Sequence, residues 1–342
     1  MEQNDQIRNM IEKNRKELFH ELEEELSQEY VTDVEWDGYQ LWITDLKVGS
    51  YLSPKKLSEQ YVENLSIRLA NIMKVPFNRM HPILEANTEE LRISIWHESR
   101  CGRKSIAIRK IPLTVRFDHQ ILVDTDYAPE PLINLMENCI RAHMNTIIGG
   151  QPHAGKTELL KYISTFIPAN EKVGVYEDNQ EIHYRTINPG KKCAEFYVDE
   201  RFGYSQIIKA GLRHNIDWIL LSESRGAEVL DLLNSLSTGA SCMTTMHLDD
   251  VRGIPDRMYN MLRETNITDR FTNSIYKYID LGVLVECDKH ERRKITQAGF
   301  FTRQNNNNKC TIIYQDGEFT GESIPTEMMT RFHKYGIEDP FS

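Results

Sequence analysis

The sequence predicts two domains, a smaller α+β domain followed by a larger α/β domain built on a parallel sheet. Three observations carry this. At 342 residues the chain is longer than one hydrophobic core usually serves. Residues 31–110 alternate apolar and polar side chains in runs that flank one helical segment. From Leu132 onward, short apolar runs each end in glycines or in a reactive side chain, the arrangement in which a parallel sheet presents ligand-binding groups at its carboxyl edge.

Taken in order, Ile7, Met10, Ile11, Leu18, Leu22 and Leu26 recur at helical spacing around "RKELFHELEEEL", so residues 1–30 read as an amphipathic helix whose glutamates form a solvated face. "VTDVEWDGYQLWITDLKVGSYL" and "LRISIWHESRCGRKSIAIRKI" read as half-buried strands, with "LSEQYVENLSIRLANIM" as the helix between them. This α+β domain is expected over 31–120. The proline-bearing, acidic "DTDYAPEP" ends an expected linker over 121–131, and the second domain occupies 132–342. Within it, "DRMYNMLRE" reads as a packed helix, and "QNNNNK" as a polar hairpin loop between "RKITQAGFFT" and "CTIIYQDG". Ile279, Leu281, Val283 and Val285 alternate as a strand that either continues the main sheet or starts a small appended one.

Composition narrows the function. A net charge of −10 argues against a general nucleic-acid-coating surface, so direct DNA binding is not indicated. Cys101, Cys139, Cys193, Cys242, Cys287 and Cys310 form no Cys-x-x-Cys pair, which points to neither a zinc site nor a disulfide scaffold and suits a reducing cytosol. "MEQNDQIRNM" has no apolar signal core, and no run approaches the roughly 20 apolar residues of a membrane span. A cytoplasmic protein is expected, reaching the cytoplasmic face of a membrane only through partners.

The densest motif is "GGQPHAGKTELL", Gly149 to Leu160. Gly-x-x-x-x-Gly-Lys-Thr is the phosphate-binding loop pattern. Strand-like "NTIIGG" precedes it and helix-like "KTELLKYISTFI" follows, as that loop requires. Gly150 and Gly155 permit the backbone geometry that turns N–H groups from Ala154 to Thr157 onto phosphates at a helix N-terminus, with Glu158 completing the segment. Lys156 would place its charge between the β- and γ-phosphates, and Thr157 its hydroxyl on Mg²⁺. ATP and Mg²⁺ are therefore the expected cofactors. Three further apolar runs, "KVGVYED", "DWILLSE" and "SCMTTMH", deliver Glu177 with Asp178, Glu223, and His247 to the same sheet edge.

In order and spacing these motifs resemble the secretion ATPases of type II and type IV secretion, pilus assembly and conjugation, most closely the VirB11-like and CpaF-like hexameric ATPases. "GGQPHAGKTE" occupies the Walker A position, "VYEDNQEI" is similar to the Asp box, "GLRHNIDWILLSESRGAE" to the Walker B segment and "STGASCMTTMH" to the His box. "VTDVEWDG", "RLANIM", "HPILEA" and "IAIRK" resemble landmarks of the family's N-terminal domain, so the likeness runs over about residues 25 to 290.

The resemblance implies a RecA-like P-loop NTPase domain preceded by the smaller α+β domain. It also implies ATP hydrolysis, a homo-hexamer, and membrane components of a secretion or conjugation apparatus as partners. Residue by residue, it makes Glu223 the Walker B glutamate that orients the attacking water, with Glu177 acting from the opposite side of the metal; both would reach Mg²⁺ through water. His247 would sense the γ-phosphate. Arg92 and Arg109 match positions that contact the nucleotide from the N-terminal domain, while Arg213 and Arg225 serve either the site or a subunit boundary. Pro152 and His153 stand where small residues are usual. Ser222 and Ser224 replace a glycine and an apolar residue beside Glu223, and Asn215 a common proline, changes that bear on how firmly Glu223 is held. Two other readings are a nucleotide-binding assembly scaffold with little turnover, and a small-molecule kinase. The His-box-like strand and the long N-terminal domain suit the kinase poorly.

Overall fold

The computed structural model describes residues 10–11, 13–199, 201–263, 270–287 and 292–342. The chain divides into two compact units, Met1–Leu113 and Thr114–Ser342. Among the described residues no helix is long and apolar enough to cross a membrane.

The first unit is an antiparallel sheet of six strands with a helix on one face. Its strands are β1 (Val31–Trp36), β2 (Leu41–Asp45), β3 (Gly49–Leu52), β4 (Ile83–Asn87), β5 (Leu91–Trp96) and β6 (Ser105–Lys110), in the order β3-β2-β1-β6-β5-β4. Period-two patterning decides which face is covered: Leu91, Ile93 and Ile95 of β5 are buried, and Arg92 and Trp96 between and beyond them are exposed. The segment expected as one amphipathic helix over 1–30 is broken: its described residues include the short helices α1 (Arg15–Leu18) and α2 (Glu23–Leu26). Phe19 and Leu22 both enter the core at the bend between them, and the Arg15 guanidinium holds the fold-back by donating to the Leu26 carbonyl at 3.2 Å and to Glu23 at 3.4 Å. Ile7 lies outside the described residues. Helix α3 (Glu59–Met73) starts where the Ser58 hydroxyl accepts from the Tyr61 amide and stops at Lys74, which turns left-handed at φ 55°. Its Leu65 and Leu69 join Val34, Ile43 and Ile93 in the core.

The second unit is a nine-stranded sheet covered on both faces. Six strands run parallel: β7 (Thr146–Gly150), β8 (Val173–Glu177), β9 (Cys193–Tyr197), β10 (Trp218–Leu221), β11 (Ser241–Met246) and β12 (Leu281–Cys287), in the order β12-β7-β11-β10-β8-β9. Every residue of β7, β8, β10 and β11 is buried, which is why they read as continuous apolar runs rather than alternating ones. The edge strand β9 is only half-buried and carries no such signal, so sequence periodicity overlooks it.

Beyond β12 the sheet continues antiparallel through β13 (Arg293–Gln304), β14 (Asn307–Gln315) and β15 (Glu318–Phe319), so the C-terminal strands extend the main sheet. The asparagine tract is shared between turn and strand. Asn305 and Asn306 form the two-residue turn at φ 48° and 67°, and Asn307 pairs with Gln304.

The segment 121–131, expected as linker, belongs to this second unit. It holds most of helix α4 (His119–Asp124), capped by the Asp118 carboxylate on the Ile121 amide, and buries Leu122 and Tyr127. On that face α4, α5 (Glu130–Arg141) and α6 (Lys156–Ser164) pack with the C-terminal helix α9 (Thr326–Lys334). On the other, α7 (Glu228–Ser237) and α8 (Ile254–Arg263) supply Leu232, Leu236 and Met258. The methionine-rich segment is thus a packed helix.

Candidate functional site

The strands β7, β8, β10 and β11 are parallel, so their carboxyl ends share one edge of the sheet. At that edge β7 runs into the glycine-rich loop. Gly150 pairs with Val285 of β12, has φ 151°, and a Cβ there would stand 2.3 Å from the Val285 carbonyl oxygen, so only glycine fits. Gly155, at φ 93°, precedes α6 and offers no side-chain cap. The first amides of α6 therefore receive no side-chain cap from the residue before them, the electrostatic arrangement that suits an anion. Ala154 is buried beneath the loop.

Lys156 opens α6 and folds back over the loop. Its Nζ donates to the carbonyls of Gly150 at 3.0 Å and Gln151 at 2.8 Å and lies 3.4 Å from His247 Nδ1. Burial lowers its pKa, while the Glu223 and Glu181 carboxylates pull it back up. His247 follows β11 and reaches Glu223 on its other side, Nε2 to Oε1 at 3.1 Å. The tautomer that satisfies both contacts carries its proton on Nε2 and accepts from Lys156 at Nδ1. Thr157 donates to Glu181 Oε2 at 3.4 Å. Lys156, Thr157, Glu181, Glu223 and His247 thus form one contiguous polar cluster around the loop.

Several sequence-predicted residues are engaged elsewhere. Glu177 ends β8 with only 5% of its surface exposed, and its Oε1 accepts from the backbone amides of Glu181 at 3.1 Å and Ile182 at 3.0 Å. Burial pushes its pKa up to about 8. Asp178 turns away toward the Arg225 guanidinium and the Tyr204 hydroxyl. Glu158 accepts from the Arg116 amide and from Lys161, each at 3.3 Å, and so fastens the chain entering the unit. Arg213 is exposed. In the first unit Arg92 and Arg109 are direct cross-strand partners on one sheet face, and Arg109 donates to Asp33 at 2.7 Å.

Ser222 and Ser224, the unusual neighbours of Glu223, are buried and tied to β11. The Ser222 carbonyl accepts from the Thr245 hydroxyl at 2.6 Å, the Ser224 hydroxyl meets that of Thr244 at 3.0 Å, and the Ser224 amide donates to the Thr245 carbonyl at 2.9 Å. They brace the strand end that carries Glu223.

Two residues escaped sequence reasoning. Glu181 stands four positions beyond the end of β8 in the same acidic segment, and its signal was the third acid of "EDNQE". Arg293, at the start of β13, lays its side chain against Gly155, its Cδ 3.0 Å from where a Cβ would be, and donates from Nε to the His153 carbonyl at 3.2 Å. Nothing local in the sequence marks it.

A family model described as "Type II/IV secretion system protein" matches residues 74–330. An uncharacterized protein of Bacillus anthracis is 24% identical over 257 residues, covering 74% of this chain and 58% of its own length. The type IV secretion system protein VirB11 of Bartonella quintana is 22% identical over 51% of each chain. The chain spans about half the length, or less, of the first curated relatives it matches. Among solved structures, the ATPase DotB of Yersinia pseudotuberculosis superposes with a TM-score of 0.60 at 14% identity, covering 86% of this chain and 80% of that one. At that identity the likeness speaks for the fold, a RecA-like P-loop domain preceded by a smaller α+β domain. A match over most of the length, which takes in the glycine-rich loop, shows that the chain belongs to the type II/IV secretion system protein family.

Proposed function

We propose that this protein is an ATPase that works as a homo-hexamer to power a secretion, conjugation or pilus-type apparatus, held at the cytoplasmic face of the membrane by that apparatus. The observation that carries the reading is the cluster itself: one buried cation, one hydroxyl, two carboxylates and a histidine around uncapped helix amides. These groups fit Mg²⁺-ATP. The Thr157 hydroxyl and Glu181 carboxylate are hard oxygen donors of the kind Mg²⁺ takes alongside phosphates and water. When bound, Mg²⁺-ATP supplies the phosphoryl group and neutralises charge developing on it.

The chain's own residues do the rest. Lys156 exchanges its carbonyl partners Gly150 and Gln151 for phosphate oxygens, and the α6 amides add their dipoles. Glu223 holds the attacking water and accepts its proton. His247, in contact with both Lys156 and Glu223, links the phosphate side to the water side. We assign to Glu181, rather than Glu177, the position opposite Glu223, because Glu181 is the acid in contact with Thr157. The resemblance gives Arg92 and Arg109 a nucleotide-binding part, and the two are direct partners across the β5–β6 pair. The bracing of Ser222 and Ser224 favours turnover over a scaffold role.

The test is steady-state ATP hydrolysis across a concentration series, with mass photometry on the same samples. Turnover rising as hexamers form is expected, with Glu223→Gln retaining bound ATP but losing hydrolysis. Hydrolysis by Glu223→Gln at the wild-type rate would sink the assignment, and a purely monomeric active species would sink the hexamer.

A further inference from the structure

We propose that Glu177 is a positioning residue, a carboxyl clamp on the backbone of the following turn that sets the Glu181 side chain against Thr157. It rests on the reading of Glu181 given above. Glu177 itself is tied into the sheet: it pairs with Tyr197 of β9, and its carbonyl accepts from the Val198 amide at 2.8 Å. From that fixed point a single oxygen, Oε1, receives both the Glu181 and the Ile182 amides. The turn is held at its other stations as well. Asp178 is fixed by Tyr204 and Arg225, and Ile182 is wholly buried. Between these anchors Glu181 is the residue whose side chain is directed to Thr157.

The clamp requires an acceptor, not a charge. One oxygen receives both amides, and a glutamine oxygen accepts two amides as a carboxyl oxygen does. A residue that itself handled water or metal would need its carboxylate, and glutamine would not replace it. Glutamine therefore separates the two roles.

The experiment uses the full chain and two readouts: amide hydrogen exchange at residues 181 and 182 without nucleotide, and steady-state ATP turnover. In the wild type and in Glu177→Gln both amides are slow to exchange, and kcat agrees within about twofold. In Glu177→Ala both amides exchange freely and kcat falls by roughly ten- to a hundredfold, as expected for a misplaced catalytic group, while KM for ATP holds within about threefold. If Glu177→Gln is as inactive as Glu177→Ala with its amides still slow, or if Glu177→Ala turns over like the wild type, the clamp is wrong. Fast exchange of both amides in the wild type overturns it without any reference to activity. Should the alanine variant not fold, the wild-type exchange and the glutamine variant decide the matter. Glu181→Gln tests the underlying reading separately: wild-type turnover there sinks the role of Glu181, while its exchange pattern still reports on the clamp.

Discussion

The two ends of the central strand β7 are built from similar residue types and bonded differently. At the amino end, the Asn145 amide donates to Asp280 at 2.7 Å, the Asn145 side chain bonds Tyr278 at 2.6 Å and the Cys242 amide at 2.8 Å, and Arg331 of α9 meets Asp280 at 2.8 Å. Beside them His143 contacts Glu171 at 3.0 Å, and Trp218 donates to the same carboxylate at 2.7 Å. At the carboxyl end, Lys156–His247 and Thr157–Glu181 are 3.4 Å contacts, His247 meets Glu223 at 3.1 Å, and Lys156 otherwise leans on loop carbonyls. Short bonds between fixed partners from different elements pin a fold, and long contacts among ionisable groups leave them able to change partners. The first end should answer to mutation through stability, the second through chemistry.

The largest effect tests the amino end. Asp280→Ala removes the acceptor of the Asn145 amide and one acceptor of Arg331, which keeps the Ala142 and His143 carbonyls; breaking a buried pair costs about 3–5 kcal/mol. Arg331 is partly exposed, so the lower end of that range is expected. Urea unfolding should show it, while turnover per folded molecule stays within about twofold. A loss of turnover without a loss of stability would break the comparison.

Lys156→Ala is the counterpart at the carboxyl end. Turnover should fall by at least roughly a hundredfold, about 2.7 kcal/mol in barrier terms, because no other buried cation stands over the loop among the described groups of the cluster. The unfolding midpoint should hardly move. A variant that hydrolyses ATP normally, or one that unfolds, would erase the distinction between the two ends.

Glu177 sharpens the comparison because it sits at the site and is bonded like the core. Its acid is protonated in both folded and unfolded chains well below pH 4.5, and between there and its folded value of about 8 only the unfolded chain ionises. Its contribution to stability is therefore complete at low pH and is lost as pH rises toward 8. The Tm of the wild type, measured against Glu177→Gln, should fall from pH 5 to pH 8, since each pH unit over which only the unfolded chain ionises costs about 1.4 kcal/mol and ~1 kcal/mol moves Tm by about 2–4 °C in a domain of this size. A difference that does not vary with pH would mean that Glu177 is ionised in the fold.

What could be read from the sequence follows the same division. Lys156, Thr157, Glu223 and His247 were legible because each ends or follows a buried strand whose apolar run is continuous, and the parallel sheet then brings those ends together. Glu181 lay beyond the reach of that rule, being placed by a turn rather than by a strand. Arg293 arrives from a distant strand that pairs antiparallel with β12, a juxtaposition only the fold creates. The first thirty residues misled because helical spacing alone does not show that Phe19 and Leu22 are both needed inside, which bends the segment. Glu158 reads as part of the loop motif, yet its carboxylate is taken by Arg116 and Lys161, a contact set by how the chain enters the unit.

Ser224 gives the smallest and most discriminating effect. By position it belongs to the site, next to Glu223; by bonding it belongs to the pinned class, 1% exposed with its hydroxyl on Thr244. Ser224→Ala removes that bond and leaves Thr244 its second acceptor, the Thr245 carbonyl at 3.3 Å, so the cost should stay near or below ~1 kcal/mol. The Ser224 amide still donates to Thr245, which keeps the strand end and Glu223 in place. Unfolding should therefore register the change and kcat should stay within about threefold. A large fall in kcat with stability intact would show that the hydroxyl aims Glu223, and that proximity to the site outweighs the quality of a residue's bonds in deciding what it does.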